Sequence, residues 1–211
     1  MSSQFGYIPE SPDQSFQNNK GIFQPSDIYD LTRDGKFTNY GQLELVQYQS
    51  FTSVTEVFFT AIKEDIYDVH MAVCNQLEVN SSSARFGARL SNDGGSSYET
   101  SGYDFTYEGN RDDGDSLSVR TQAGGDFGYI TNNQKTTRLA GAIVYFYDLG
   151  NPNKFSHCNS MSTYFDNSSD ASGYVQGGGN LRNTEIHNAI RFANAGVMTG
   201  SIALYGFQGN L

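Results

Sequence analysis

The sequence predicts an all-β fold, a jelly-roll-like antiparallel β-sandwich with an extended N-terminal arm that contains one short helix. Aromatic and β-branched side chains suit a half-buried sheet surface, and the 211 residues include 14 Tyr and 15 Phe. The 23 glycines, with many Asn, Asp and Ser, suit tight turns. From residue 43 onward, short alternating apolar runs recur every roughly 8–15 residues, which is typical of a sandwich or barrel.

The chain divides by pattern into an arm, residues 1–41, and a sandwich, residues 42–211. The arm holds three of the four prolines and lacks strand alternation, yet it carries recurrent apolar residues. A disordered tail would be poorer in aromatics, so we expect the arm to bury them, against its own domain or against a neighbouring subunit. The predicted partner-docking residues are Phe5, Tyr7, Ile8, Phe16, Ile22, Phe23, Ile28 and Leu31.

One helix is predicted inside the arm, at about 26–34. Ser26 is a good N-cap residue, and Asp27 in the first turn favours the helix dipole. Ile28 and Leu31 are three residues apart and share one face. Gly35 is suited to end the helix.

Strands are predicted wherever apolar residues alternate between turn signals. They are expected near 43–49, 54–61, 66–75, 84–91, 98–107, 116–121, 127–131, 139–148, 154–164, 172–177, 184–193 and 199–207. The run 142–147 is apolar on both faces, which indicates a central strand or one covered by a subunit interface.

Alternation also predicts which side chains point inward. Phe86, Ala88 and Leu90 are expected on the inner face of their strand. In the run 184–192, we expect Ile186 inward and its neighbour His187 outward.

Three glycine-containing segments are predicted to be turns. These are Asn92–Gly95, which is expected to join two strands as a hairpin, the acidic segment Asp112–Asp115, and Gly177–Asn180. The acidic turn 112–115 is either a solvated turn or a Ca²⁺ site, because Ca²⁺ prefers several oxygen ligands.

Charge excludes two classes of partner. The formal net charge is −10, so the surface repels nucleic-acid phosphates and gains nothing at an anionic membrane. We therefore expect neither nucleic acid nor membrane among its partners. The N-terminus resembles no signal peptide, so synthesis in a cytoplasm is expected.

The sequence predicts no enzyme and no cofactor. His70, His157 and His187 show no metal-ligand or catalytic spacing, and no nucleophile elbow or phosphate-binding loop occurs. Cys74 and Cys158 are either two buried thiols or one disulfide, and sequence alone leaves this open.

Tyrosines form the remaining candidate site, because each offers an apolar face with a polar tip for stacking against a sugar. The alternative is that they belong to the sandwich core or to an interface. The candidate glycan-binding or interface aromatics are Tyr98, Tyr103, Tyr107, Tyr145, Tyr147 and Tyr164.

Several segments resemble virion structural proteins of tailed phages, including cyanophages. Lys20–Phe37 resembles an element of those proteins in which Gly-x-Phe leads into a short helix; Phe37 stands where the family often has Trp. Phe86–Tyr98 resembles their strand–turn–strand signature. Ala189–Phe192 and Ser201–Phe207 resemble their last two strands, with Phe207 replacing an aliphatic residue.

This resemblance implies a function and partners. It implies a virion component, made in the host cytoplasm, that docks on other capsid or tail proteins through its arm as a capsid decoration or short fibre. It also implies a homo-oligomer, commonly a trimer. The alternative function is a receptor-binding tail fibre or tip that recognises host surface polysaccharide.

Overall fold

The computed structural model describes residues 14–15, 18–19, 25–33, 43–80 and 84–207. The chain divides into two compact units, Met1–Tyr40 and Gly41–Leu211, one residue from the boundary expected above. The first unit contains strands β1 (Gln14–Ser15) and β2 (Asn18–Asn19), which pair antiparallel, and helix α1 (Pro25–Arg33). Helix α1 lies where the capping pattern predicted a helix. Within the described residues, no helix is both long and apolar enough to span a membrane.

The second unit is a jelly-roll-like antiparallel β-sandwich, as predicted, built from ten strands. They are β3 (Leu43–Phe59), β4 (Val69–Val79), β5 (Ala84–Ser91), β6 (Tyr103–Arg111), β7 (Ser116–Gly124), β8 (Phe127–Gln134), β9 (Ala140–Tyr147), β10 (Ser156–Phe165), β11 (Ser172–Leu181) and β12 (Ala189–Phe207). Their order is β7-β6-β11-β10-β9-β4-β12-β5-β8, and β3 pairs with β12.

Strand β12 joins the two halves of the sandwich. Its first part, through Asn194, pairs with β5, and its last part, from Met198, pairs with β4. Strand β3 runs antiparallel to both parts. Strand β12 is therefore long enough to lie first in one layer and then in the other.

The two layers enclose an aromatic core. Phe192 of β12 stacks on Phe86 of β5 at 5.4 Å and meets Phe146 of β9 edge-on at 6.0 Å. Phe127 of β8 meets Tyr103 of β6 edge-on at 4.8 Å. These inward rings come from strands of both layers, and such pairs add to the free energy gained by burying their area.

Two pairs of predicted strands are single strands. The prediction separated 43–49 from 54–61 and 184–193 from 199–207, whereas β3 and β12 each run through the break. The pairing of β12 with β3 shifts register between Ala193 and Met198, and Ser53 has a φ of 54°. Bulges of this kind bend a strand without ending it, so they resemble turns in the sequence.

One turn prediction is wrong and another is right only in part. Gly177–Asn180 lies inside β11 and pairs on both sides, with β10 and with β6. Asn92–Gly95 does form a turn, with φ of 73° at Gly94, but it does not close a hairpin, because β5 pairs with β8 and β12. Tertiary pairing decided both cases, since glycine suits a turn and a crowded strand equally well.

The inward residues of β5 are as predicted, but the prediction for 184–192 is wrong before Ala189. Phe86, Ala88 and Leu90 are buried. Ile186 is 43 % exposed and His187 is fully buried, because this segment is not a strand. The His187 Nδ1 lies 2.8 Å from the Ser156 hydroxyl, and burial lowers the pKa of His187 to about 4.

Candidate functional site: a glycine-floored groove on the outer sheet face

The outer face of the sheet formed by β7, β6, β11, β10 and β9 carries the candidate site. Alternation along β6 sends Tyr103, Phe105 and Tyr107 into the core and leaves Thr106 and Glu108 outside. Strand β10 likewise buries Cys158 and exposes His157 and Asn159. Strand register then aligns outward residues from neighbouring strands into rows across the sheet.

One such row passes through the centre of the face. Asn159 of β10 lies opposite Gly178 of β11, which lies opposite Thr106 of β6, which lies opposite Arg120 of β7. Tyr145 of β9 continues the row beyond Asn159. Gly178 is the only member of this row without a side chain, so the face dips between Asn159 and Thr106.

Strand β11 has glycines on both of its faces, and the outward-facing one, Gly178, lies at the dip. A Cβ on Gly177 would lie 2.7 Å from Cδ1 of Tyr107, and one on Gly179 would lie 2.7 Å from Cβ of Phe105. These inward-facing glycines therefore let the core aromatics pack against the backbone of β11. A Cβ on outward-facing Gly178 would meet the Cys158 carbonyl oxygen.

We call the resulting depression the glycine groove. One part, between β9 and β6, has a volume of about 550 Å³, and an adjoining part, between β11 and β7, has about 500 Å³. The two parts share Thr106, Gly178 and Gly179. Its outward-facing walls are Asp104, Thr106, Glu108, Arg120, Gln122, Tyr147, His157, Asn159, Gln176 and Asn180.

The groove walls are rich in hydrogen-bonding groups. Amides of Asn159 and Gln176, the Thr106 hydroxyl and the His157 ring supply both donors and acceptors. Asp104 forms an ion pair with Arg182 and accepts a hydrogen bond of 2.8 Å from the backbone N–H of Ala123.

Tyrosines border one end of the groove. Tyr145 and Tyr147 of β9 stack with ring centroids 6.3 Å apart, and both rings are half-buried on the outer face. Burial raises the pKa of Tyr147, and its protonated hydroxyl can both donate and accept a hydrogen bond. Polar side chains beside a ring with an apolar face and a polar tip suit a polyhydroxylated ligand.

The structure separates the six candidate tyrosines. Tyr103, Tyr107 and Tyr164 are core residues, exposed by no more than 3 %, so they cannot form a surface platform for sugars. Tyr98 is half-buried and lies outside the groove, with its ring centroid 5.8 Å from that of Phe58. Side-chain alternation along a strand does not show which face is buried when aromatic residues occur on both faces. The sequence alone therefore could not separate the six tyrosines into core and surface residues.

The groove contains residues that the sequence did not single out. Asn159 and Gln176 became visible only through register. The one sequence signal was the run of three glycines, which was read as a turn. His157, which has no catalytic spacing in the sequence, lies in the groove wall, whereas His70 is buried with Nε2 2.7 Å from the Ile62 carbonyl oxygen.

The other candidate sites fare differently. Phe5, Tyr7, Ile8, Phe16, Ile22 and Phe23 lie outside the described residues. Ile28 and Leu31 fall in α1, but their side chains are not described.

Asp113 and Asp115 of the acidic turn pair with Arg111, and no metal-binding group of three or more acidic, His or Cys side chains occurs among the described residues. Cys74 and Cys158 are buried free thiols, and burial raises the pKa of Cys158 to about 12.

Comparison with known proteins gives no family. No family model and no curated protein matches the chain. Among solved structures, the Caenorhabditis elegans galectin LEC-6 is similar at a TM-score of 0.29 and 12% identity, over 74% of this chain and 94% of that one. The CBM2 module of the Lactobacillus casei BL23 phage J-1 evolved Dit is similar at a TM-score of 0.17 and 9% identity, over 74% and 70%. At such scores neither likeness carries an argument, and the resemblance to phage virion proteins stays a prediction.

Proposed function

We propose that this protein is a non-enzymatic binding protein of a tailed-phage particle, and that it attaches to host surface polysaccharide through the glycine groove. The observation that carries the proposal is the groove itself, an outer-face depression whose walls combine amide, hydroxyl and imidazole groups with the Tyr147 ring. Its two parts have volumes of about 550 and 500 Å³, each within the range of small-molecule sites.

The groove is suited to an extended ligand. Its two parts adjoin across β11, so a chain of sugar units can lie across the strands with its rings near Tyr147 and its hydroxyls near Asn159 and Thr106. Every lining strand is paired, which holds these side chains in fixed rows and reduces the entropy lost on binding.

Calorimetry with fragments of host surface polysaccharide tests the groove. We expect Asn159→Ala and Tyr147→Ala each to weaken binding by about tenfold, since each removes hydrogen-bonding or ring contact. Asn110→Ala is the matched control, because Asn110 is exposed on the same face of β6 but outside the groove lining. Absence of binding to any host glycan, or equal loss in the control, would contradict the proposal.

The absence of catalysis needs its own assay. Reducing-sugar release from the same polysaccharide is expected to stay at background while binding is saturated. Release that depends on Glu108 or Asp104 would make the groove an active site instead, because paired carboxylates hydrolyse glycosidic bonds.

The virion location in this proposal rests on the phage resemblance. The arm, residues 1–41, would dock the protein on capsid or tail subunits by burying its apolar side chains. Cryo-electron microscopy of the particle tests this: density on the capsid lattice would indicate decoration, and density at the tail or fibre ends would indicate host adhesion. Full occupancy by a chain lacking residues 1–25 would contradict docking through the arm.

A further inference from the structure

A second cavity, across β7 from the groove, is lined by three arginines. It has a volume of about 460 Å³ and lies where β5, β8 and β12 meet the β6–β7 hairpin. Arg85, Arg89 and Arg191 line it, and Asp126 is the one acidic residue in its wall. The chain has 13 basic and 23 acidic residues, so a cavity lined by three arginines is opposite in charge to the chain as a whole. We call this cavity the arginine pocket.

Two of these arginines face each other across paired strands. Arg89 of β5 is directly opposite Arg191 of β12 in the antiparallel register. Like charges in directly opposed positions are unfavourable in a sheet, and Glu56 offsets this at Arg191 but not at Arg89. An anion between the two guanidinium groups would reverse the sign of that interaction.

The pocket's own residues leave guanidinium donors unsatisfied. Arg191 donates from Nη1 to Glu56 Oε1 at 2.7 Å, and Arg85 donates from Nη1 to the Tyr129 hydroxyl at 2.6 Å. Arg89 has no hydrogen bond or ion pair with any described residue, and its Nε is buried without a partner. The Nε of Arg191 is likewise buried and unpartnered. Such donors are costly unless an acceptor reaches them, and oxyanions match the fork of a guanidinium.

The backbone around the pocket permits close approach by a ligand. Gly87, Gly125 and Gly128 form part of its wall, and a Cβ on Gly87 would lie 3.1 Å from the Phe127 carbonyl oxygen. Aromatic rings hold the outer arginines in place: the Arg85 guanidinium lies 4.7 Å from the Tyr129 ring centroid, and that of Arg191 lies 5.2 Å from that of Tyr98. Stacking of this kind preorganises the guanidinium groups.

The arginine pocket lies across the edge strand β7 from the glycine groove. Phe105 of β6 and Thr121 of β7 line both cavities, but they point to the inner face of this hairpin, whereas the groove walls Thr106 and Arg120 point to its outer face. Because β7 pairs with β6 alone and ends the strand order, a ligand can pass around it from one face to the other. We propose that the arginine pocket binds a compact oxyanion, a sulfate or carboxylate substituent of a glycan that passes from the groove around β7, so that the ligand class is an acidic polysaccharide. This inference rests on the proposed function.

A matched pair of glycans tests the inference. Calorimetry would compare a sulfated oligosaccharide with its desulfated form, and a uronic-acid oligosaccharide with its carboxyl-reduced form. We expect the acidic form to bind about tenfold or more tightly, as is usual for charge-assisted hydrogen bonds. Arg89→Met, which keeps an apolar stem, should abolish that preference, and Arg85→Met, at an exposed position, should reduce it. Arg138→Met, which removes an exposed charge outside the pocket, should leave it unchanged.

A second measurement separates failure of the inference from failure of the proposed function. Sodium sulfate alone should shift the Nε–H resonance of Arg89 in nitrogen–proton spectra, and Arg85→Met should weaken that effect. Equal binding of acidic and neutral glycans would overturn the inference and leave the proposed function standing. A sulfate effect that depends on Arg85 without glycan binding would keep the anion site and overturn the glycan ligand. A spectrum unchanged by sulfate would overturn the anion site.

Discussion

At the residue scale, Asp166 shows how a buried charge joins three parts of the sandwich. It follows β10, is fully buried, and accepts hydrogen bonds from Asn133 of β8 at 3.1 Å and from the Ser168 backbone at 2.8 Å. Arg111, at the end of β6, lies 3.2 Å from it. Burial alone would raise the pKa of Asp166, but these hydrogen bonds and the Arg111 charge outweigh it and lower the pKa.

Asp166→Asn is expected to lower the free energy of unfolding by about 2 kcal/mol at pH 7, because charge-assisted bonds are lost. A carboxylate with a lowered pKa stabilises the fold above its unfolded pKa of about 3.9, and that stability disappears as pH falls through the folded pKa. The variant should therefore lose less stability than the wild type on acidification. Urea unfolding at several pH values measures both effects.

Asp170→Asn is the control for this prediction. Asp170 pairs with Lys135 at 2.7 Å, but its side chain is 57% exposed, and exposed ion pairs contribute little. We expect the melting temperature of the Asp170→Asn variant to match that of the wild type. Equal destabilisation by the two substitutions would mean that burial of Asp166 is not the cause.

At the element scale, β11 depends on glycine because it lies between two neighbours packed close to its backbone. Gly178→Ala would place a methyl group against the Cys158 carbonyl oxygen of β10. Relief requires separation of paired strands, and overpacking of this kind costs about 1–3 kcal/mol. Thermal unfolding is expected to show that loss.

Gly141→Ala provides the comparison within the same sheet. Gly141 lies in β9, and the nearest atom to its Cβ would be the Cys74 carbonyl oxygen at 3.8 Å, an ordinary contact. Because alanine restricts the unfolded chain more than glycine does, we expect unchanged or slightly increased stability. A Gly141→Ala protein as unstable as Gly178→Ala would show that the loss is general to strand glycines and not due to crowding at β11.

At the scale of the whole molecule, β3 leaves one edge of the sandwich unpaired within the described chain. It pairs with β12 on one side, and its 17 residues include two charged ones, Glu44 and Glu56. Leu43, Leu45 and Tyr48 on this strand are each more than half exposed. A long apolar edge of this kind is a template for pairing with another chain.

We expect a second copy of the chain to cover this edge, in keeping with the trimer that the phage resemblance implies. Light scattering should give more than the mass of one chain, three times that mass for the trimer, and Leu45→Lys should reduce it, because edge lysines oppose strand pairing. Leu139→Lys is the control, since Leu139 is similarly exposed but lies in a loop. A wild-type monomer at micromolar concentration would contradict the expectation.

The strand prediction succeeded where burial differs between the two faces of a strand. Phe86, Ala88 and Leu90 alternate with two arginines and a glycine, and the two-residue period of a strand places them in the core. The central position of the run 142–147 was also recognisable, since β9 lies between β4 and β10. The predicted orientations of Ile186 and His187 are wrong because these residues lie outside any strand, where successive side chains need not alternate between two faces.

The amino-acid sequence by itself determined the fold class, the short helix and most inward-facing positions, because these follow from local periodicity and capping. Only the tertiary structure decided that Gly177–Gly179 floors a groove, that Tyr103 and Tyr107 are core while Tyr147 is surface, and that Arg89 faces Arg191. The physical reason is register. Residues far apart in the chain become neighbours through hydrogen bonding between strands, and no local pattern records which strands pair or in which alignment.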